Sequence, residues 1–480
     1  MVNLLINLGI IVGVILVFNI IIFVHELGHY WAAKWRGLKI ERFQIWFGKP
    51  IWSKTIGGVQ WGLGSIPAGG FVALPQMAPM EAIEGSNSSD EPLPPISATD
   101  KIIVAFAGPL FSMLLALLVA FGVWQVGKPA NVLTSTTVGY VLPGKPAAEA
   151  GLKPGDNIIA VNGNPVDCFG GRIDTGIREN VMLSEGDTIR ITVERPGEEN
   201  PIDLRMGFKI PDTRFWERKA TRQIGYRPAE KSIVGLVLEN SPAQVAGVKV
   251  GDVVVSMNGE KLWSSSQLVA LAETAELIRL EVLRGDETLE LSLVPIKPTQ
   301  PSKAKPELGI RWSPDLDFYN GEIVYPTPME SISDSMGMMK RTLQAVTSSK
   351  SDIGVQHLAG PIGIGKSYFE MFKSQEGWRL ALWFTVIFNV NLAVLNMMPF
   401  PVLDGGHITL AILEKIAGKP VNIKVLEVIQ MSFVAVLFSL FIYVTSKDIG
   451  SFIPGQKAEK QLPVKFADPA ASAQPAAVSE

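Results

Sequence analysis

Four stretches of the chain run without a single charged residue: Leu4–Val24, Ile102–Val126, Leu380–Leu403 and Val428–Ser446. A helix rises about 1.5 Å per residue and a bilayer's hydrocarbon core is about 30 Å thick, so each run is long enough to span it. The pattern predicts four transmembrane helices. The first run competes with a signal peptide, but no basic segment precedes it, it exceeds an apolar core of about 7–15 residues, and no small-residue cleavage site follows. It is read as a span. Between Ile40 and Leu74 the period changes: Phe43, Ile45 and Phe47, then Val59, Trp61 and Leu63, alternate with other residues on either side of Gly57-Gly58. That alternation predicts a β-hairpin over 40–74, packed into the bilayer edge beside the protein, where a strand edge is still shielded.

Charges at the span ends set the orientation. Lys34, Arg36, Lys39, Arg42, Lys49, Lys54 and Lys101 lie between the first two runs, and none lies before the first. That loop is therefore predicted on the cytoplasmic side, as are Lys415, Lys419 and Lys424 between runs three and four. The N-terminus, the region from about 127 to 377 and the C-terminal tail fall outside. The tail from about Gln456 is rich in Ala, Pro and Ser and reads as disordered, and residues 76–99 read as a flexible stretch. From Met329 to about Lys350, Met336, Met339, Leu343 and Val346 recur at helical spacing, which fits an interfacial helix or one packed on a domain.

The outer region matches itself at a fixed offset. Val138-Gly139, Pro146-Ala147, Ala150-Gly151, Gly155-Asp156 and Asn162-Gly163 recur 96 residues on as Val234-Gly235, Pro242-Ala243, Ala246-Gly247, Gly251-Asp252 and Asn258-Gly259. Each copy reads as strand, short helix, Gly-Asp turn, strand and Asn-Gly hairpin turn. The pattern resembles the PDZ domain in the rearranged order of bacterial proteases. That resemblance makes Ile224-Gly225-Tyr226 and Leu308-Gly309-Ile310 candidate loops for a peptide terminus, the peptide adding as a strand. Peptide docking and size filtering both remain open, as does a pair of rigid spacers.

Composition agrees with this mixture. The chain has 480 residues, 47% hydrophobic and 19% charged, whereas soluble domains carry about 25% charged residues, which counts against an ordinary cytosolic enzyme. A net charge of −3 gives no basic field for nucleic acid, and the single cysteine, Cys168, makes no internal disulfide.

Of four histidines in the chain, His25 and His29 stand four apart with Glu26 between them. On a helix that spacing puts both imidazoles on one face, within reach of one zinc ion, and lets Glu26 address a water there. Such polar groups at the end of a span face a protein interior or a wet cavity. A catalytic zinc needs a third protein ligand. Asp404, after the third run and on the same predicted side as His25, is the candidate; its bland alternative is a turn aspartate. His407 is then left to support the ligands from behind. His357, on the outer side, is no ligand.

These residues resemble the site-2 protease family of intramembrane zinc metalloproteases. The resemblance rests on His25-Glu26-Leu27-Gly28-His29, on the Asn-x-x-Pro-x-Pro-x-x-Asp-Gly motif from Asn396 to Gly405, and on Gly108-Pro109-Leu110-Phe111-Ser112 in the second run. Tandem PDZ copies narrow it to the regulator-of-sigma-E protease type. It covers nearly the whole chain apart from the tail and the 76–99 insert. The resemblance implies one zinc ion on His25, His29 and Asp404, with Glu26 as general base and then general acid. It implies substrate contacts from Asn396, Pro399 and Pro401, although an intramembrane asparagine is also a common helix–helix hydrogen bond. It implies a hairpin that pairs with an unwound substrate segment, and single-span membrane proteins as substrates, already trimmed by another protease: anti-sigma factors or remnant signal peptides.

The fold class expected is thus a polytopic α-helical membrane protein with four transmembrane helices, a membrane-associated β-hairpin and two α+β PDZ domains outside the membrane. The divisions are 1–35 for the first span; 36–100 for the cytoplasmic-side loop; 101–127 for the second span; 128–224 and 225–312 for the PDZ copies; and 313–377 for a linker with the amphipathic helix. Then follow 378–404 for the third span, 405–427 for a cytoplasmic-side segment, 428–446 for the fourth span and 447–480 for the tail. The bacterial inner membrane is the implied location, with both termini and the PDZ copies on the periplasmic side and the active site toward the cytoplasm. A catalytically silent PDZ scaffold is the alternative that an intact Glu26 counts against. A metal transporter is disfavoured by only four spans and two large outer modules.

Overall fold

The computed structural model describes residues 2–77, 96–130, 132–301, 304–313, 322–374, 376–418, 421–450 and 464–467. The chain divides into two compact units: one built from 1–129, 323–344 and 358–449, the other from 130–322, 345–357 and 450–480.

The first unit holds helices α1 (Val2–Trp35), α2 (Ala98–Val126), α3 (Pro328–Thr347), α4 (Pro361–Lys373), α5 (Gly377–Asn396), α6 (Asp404–Ala417) and α7 (Ile423–Gly450). Among the described residues four helices, α1, α2, α5 and α7, are long and apolar enough to cross a membrane. The chain is a membrane protein. Helix α2 begins at a capping box between Ser97 and Asp100 and packs against α1, α5 and α6. Its buried positions include Ala105, Ala107, Gly108, Ser112, Ala116 and Ala120, a small-residue face that lets neighbouring backbones approach. The crossing with α1 is close: a Cβ on Gly28 would lie 2.4 Å from the Ala107 carbonyl oxygen. At one end, Arg36 pairs with Asp100 at 2.6 Å and Lys101 with Glu414 at 2.8 Å. These pairs hold the C-terminal end of α1, the start of α2 and α6 together.

The third run does not continue as one helix to 404. Helix α5 stops at Asn396 because Pro399 and Pro401 follow, and the chain turns before α6 opens at Asp404. The segment 405–427, expected only as a cytoplasmic-side stretch, therefore carries a helix of its own. Helix α7 runs over Ile423–Gly450, beyond the expected 428–446.

Strands β1 (Arg42–Ile56) and β2 (Val59–Ala73) pair antiparallel around Gly57-Gly58, but not as a flat hairpin. Phe43 pairs with both Trp61 and Val72, and Ile45 with both Leu63 and Gly70. Thus 42–45 runs between 60–63 and 70–73, and the sheet curls back on itself. The segment 70–73 forms an outer edge of this sheet.

The second unit contains the two repeat copies. The first has β3 (Val138–Val141), a helical turn at Pro146–Glu149, β4 (Asn157–Val161), β5 (Asn164–Pro165), a helix at Ile177–Met182, β6 (Ile189–Glu194), β7 (Ile202–Met206) and β8 (Tyr226–Pro228). Its sheets run β5-β4-β6-β7 and β3-β8. The second has β9 (Ser232–Val237), a turn at Pro242–Val245, β10 (Val253–Met257), β11 (Glu260–Lys261), a helix at Ser265–Ala272, β12 (Ile278–Arg284), β13 (Glu287–Leu293) and β14 (Ile310–Trp312). Its sheet runs β13-β12-β10-β9-β14, with β11 on β10. The 96-residue register holds from the helical turn through the hairpin. The expected division at 224 cuts the first copy short, because β8 returns to pair with β3 and closes it at Pro228. Each copy has its own apolar core, Ile158, Ile189 and Ile191 in one, Val254, Ile278 and Leu280 in the other.

Each Gly-Asp turn is locked in the same way. Asp156 accepts two bonds from Arg195 at 2.7 and 2.8 Å and one from the Lys153 amide. Asp252 accepts two from Arg284, both at 2.8 Å, and one from the Lys249 amide. In both copies the arginine also donates to the carbonyl of the preceding glycine, Gly151 or Gly247. A planar guanidinium suits that fork-on-carboxylate geometry.

Most of the stretch read as flexible and most of the tail lie outside the described residues. Within the tail, Val464–Ala467 is described and is not free chain: Lys465 bridges antiparallel to Gln300.

Candidate active site

The i, i+4 pair lies in the last third of α1, as its spacing requires. Helix α1 supplies His25, Glu26 and His29, and α6 supplies Asp404 from its first residue. His25 Nε2 is 3.3 Å from Asp404 Oδ2, His29 Nε2 is 3.3 Å from Asp404 Oδ1, and the two Nε2 atoms are 3.3 Å apart. A tetrahedral zinc with bonds of about 2.0–2.1 Å holds its ligand atoms ~3.3–3.4 Å from one another. The donor set fits. Two imidazole nitrogens and a carboxylate oxygen, all mutually within 4.8 Å, leave one tetrahedral position open.

The far side of each ring is fixed by α2. His29 Nδ1 donates to the Val104 carbonyl at 2.8 Å, so its proton is held there and Nε2 presents a lone pair to the site. His25 Nδ1 lies 2.9 Å from the Oγ of fully buried Ser112. These two partners were not singled out from the sequence. The only trace of them there is the small residue four after Gly108. Gly108 itself is required by contact: a Cβ there would fall 2.1 Å from His29 Nε2.

The group opens onto a cavity of about 390 Å³, lined among others by Glu26, Gly69, Gly70, Phe71, Asn396 and His407. The edge segment of the curled sheet forms one wall. A Cβ on Gly70 would lie 3.2 Å from Glu26 Cγ, so strand and carboxylate side chain are in close approach. Asn396, the last residue of α5, places Nδ2 at 3.4 Å from His25 Nε2. His407 is on the cavity wall but outside the three-residue ligand group. Pro399 and Pro401 are not on that wall. They shape the turn between α5 and α6, where Phe400 stacks on Phe433 of α7.

The candidate peptide-terminus loops lie in the second unit. Gly225 and Gly309 have positive φ, +89° and +76°, and their neighbours Ile224, Leu308 and Ile310 are buried. The Tyr226 hydroxyl is buried with no partner among the described residues.

Comparison with known proteins agrees with this geometry. A profile of Peptidase family M50 matches residues 13–440. The chain is 28% identical over 439 residues to the regulator of sigma-E protease RseP of Escherichia coli K12, covering 86% of this chain and 92% of that one. It is 26% identical over 452 residues to the regulator of sigma E protease of Haemophilus influenzae, covering 90% and 97%. A Xylella fastidiosa protein with a provisional zinc-metalloprotease name is 28% identical over 443 residues, covering 88% and 94%. Among solved structures, a PDZ domain of the SdrC-like protein of Listeria monocytogenes covers 20% of this chain at 16% identity with a TM-score of 0.17, too slight a likeness to bear on the fold. With His25, Glu26, His29 and Asp404 gathered at one cavity and a family match over most of its length, the chain belongs to Peptidase family M50, the site-2 proteases, and is a zinc metalloprotease of the membrane.

Proposed function

We propose that the chain cuts single-span membrane proteins within the membrane, after another protease has trimmed their outer domain, with anti-sigma factors and remnant signal peptides as its substrate classes. The observation that carries this reading is the juxtaposition, across one cavity, of Glu26 with the strand edge at 70–73, which has a strand partner on one side only among the described residues. A transmembrane helix keeps its carbonyls in internal hydrogen bonds, so the scissile bond must be drawn out before it is attacked. Pairing with 70–73 offsets the bonds lost on unwinding.

His25, His29 and Asp404 would hold the zinc. Zinc held by them would supply Lewis-acid chemistry, polarising a carbonyl and acidifying a water. Glu26, on the cavity wall, would take a proton from the attacking water and later deliver it to the leaving amine. Asn396, beside His25, steadies the substrate backbone. Ser112 and the Val104 carbonyl keep the imidazoles oriented. The two repeat copies are PDZ domains on the outer side, where they filter substrates by size or take a trimmed chain end at Ile224-Gly225-Tyr226 or Leu308-Gly309-Ile310. The names of two relatives put those proteins in sigma-E regulation; for this chain an inner-membrane location is proposed, with both termini and the repeat copies outside and the active site toward the cytoplasm.

The test is cleavage of a single-span model substrate by purified protein in detergent. Glu26→Gln and chelator treatment should each abolish product, and Asp404→Ala should lower zinc content by elemental analysis. Unchanged cleavage by Glu26→Gln would remove the assigned base.

A further inference from the structure

The two repeat copies differ at their glycine loops. In the first copy Lys145 leans over Gly225, where a Cβ would meet its stem at 2.3 Å. The 96-residue repeat puts Ser241 at the matching place in the second copy. Serine is shorter, and the space above Gly309 is shared with a ring from far along the chain: a Cβ on Gly309 would meet Ser241 at 2.2 Å and Phe466 Cε2 at 3.1 Å. Phe466 is 7% exposed. Its neighbour is bound through the main chain. The Lys465 carbonyl accepts from the Thr299 amide at 2.7 Å and the Thr299 hydroxyl at 2.8 Å, and the Lys465 amide donates to the Gln300 carbonyl at 3.1 Å.

We propose that the second copy carries a binding site for an internal extended segment with an aromatic side chain, formed by Thr299-Gln300 and the Gly309 loop, and that Val464-Lys465-Phe466-Ala467 is its resident ligand. The segment docks through one antiparallel bridge to Gln300, outside the sheet: the main chain gives the pairing and the phenyl ring gives the choice. Lys465 pairs through both its own amide and its own carbonyl, so the contact is made by main chain within the segment. This mode is distinct from capture of a chain end and does not rest on the proteolytic reading. The Lys465 side chain is exposed, so that position tolerates other residues. Because the ligand is tethered, an outside segment competes with an effective concentration on the order of millimolar. The site is thus kept closed to weak partners and open to a stronger one of the same chemistry.

Hydrogen exchange of the full chain in detergent tests this, beside Phe466→Ala and a chain ending at Gly455. The amides of 299–300 and 307–311 should exchange roughly tenfold faster in both altered chains, with 189–193 of the first copy unchanged as a control for folding. A synthetic peptide spanning 461–468, at about 1 mM, should restore protection to the shortened chain, and the same peptide with Ala at the phenylalanine position should not. Equal exchange in all three chains would overturn the docking. Faster exchange that neither peptide reverses would overturn the binding site and leave only a structural staple.

Discussion

The contact between Gly108 and His29 offers a direct test of how the metal group is held. In Gly108→Ala the added methyl would lie 2.1, 2.5 and 2.8 Å from Nε2, Cε1 and Cδ2 of His29. Ordinary contact begins near 3.5 Å, so the ring or the helix must yield by about 1.4 Å. Metal–ligand distances tolerate about 0.2 Å, and the displaced ring also loses its 2.8 Å bond to the Val104 carbonyl. Loss of a supporting partner alone weakens metal binding about 10–100-fold. Displacing the ligand should reach at least the upper figure, about 2.8 kcal/mol. The assay is zinc per chain by elemental analysis after graded chelator exposure, with Gly122→Ala as control. Gly122 lies on the same helix with nothing of this chain within 4 Å of its Cβ position. The control should keep its zinc, and both variants should elute from detergent chromatography as the parent does. A Gly108→Ala protein that resists chelator as well as the parent would refute the close packing of α2 on the site.

Other consequences are as direct. Ser112→Ala should weaken zinc retention about 10–100-fold without unfolding the helix pair, measured by chelator competition; full retention would free His25 from that partner. Hydrogen bonds from Arg284 hold the Asp252 carboxyl below the usual range. The stability it contributes is fully present above the ordinary carboxylate pKa and lost as pH falls through the depressed one. Acid titration followed by exchange at 253–257 should therefore open the second copy of the parent protein as pH falls below about 4, with much of that dependence absent in Asp252→Asn. Burial pushes the Cys168 thiol up to about 11, so the folded chain should resist a maleimide at neutral pH and react only on unfolding.

Much of the site was legible because its spacing is local. Two imidazoles four apart on an apolar helix have one geometric reading, and Asp404 follows from the ligand count that zinc requires. The partners behind the histidines were not legible. One is a backbone carbonyl, which leaves no mark in a side-chain pattern, and the other is a serine in a stripe of small residues that reads equally as packing. The same limit appears outside the ligand group. Asp156 and Asp252 keep the repeat offset, but Arg195 and Arg284 stand 89 apart, because the segments after the hairpin differ in length. A salt bridge formed across that change of register is invisible to self-comparison. The curl of β1 and β2 was missed for a related reason: alternation identifies strands, whereas which edges meet depends on close approach at glycines, as at Gly64, whose Cβ position lies 2.3 Å from the Phe47 carbonyl oxygen. Proline marked the end of α5 plainly, and an uncharged run was nonetheless read through it.

The edge at 70–73 has a consequence for what a protease of this design discriminates. If it pairs with substrate as proposed, a wall of main-chain donors and acceptors beside Glu26 would recognise any segment that has become extended, whatever its side chains. Selection then lies in the substrate's own helix–coil equilibrium: glycine, proline or polar residues that destabilise a span raise the fraction presented as strand. Substrates would be ranked by how readily they come undone, and a stable transmembrane helix would be spared with no sequence to exclude it.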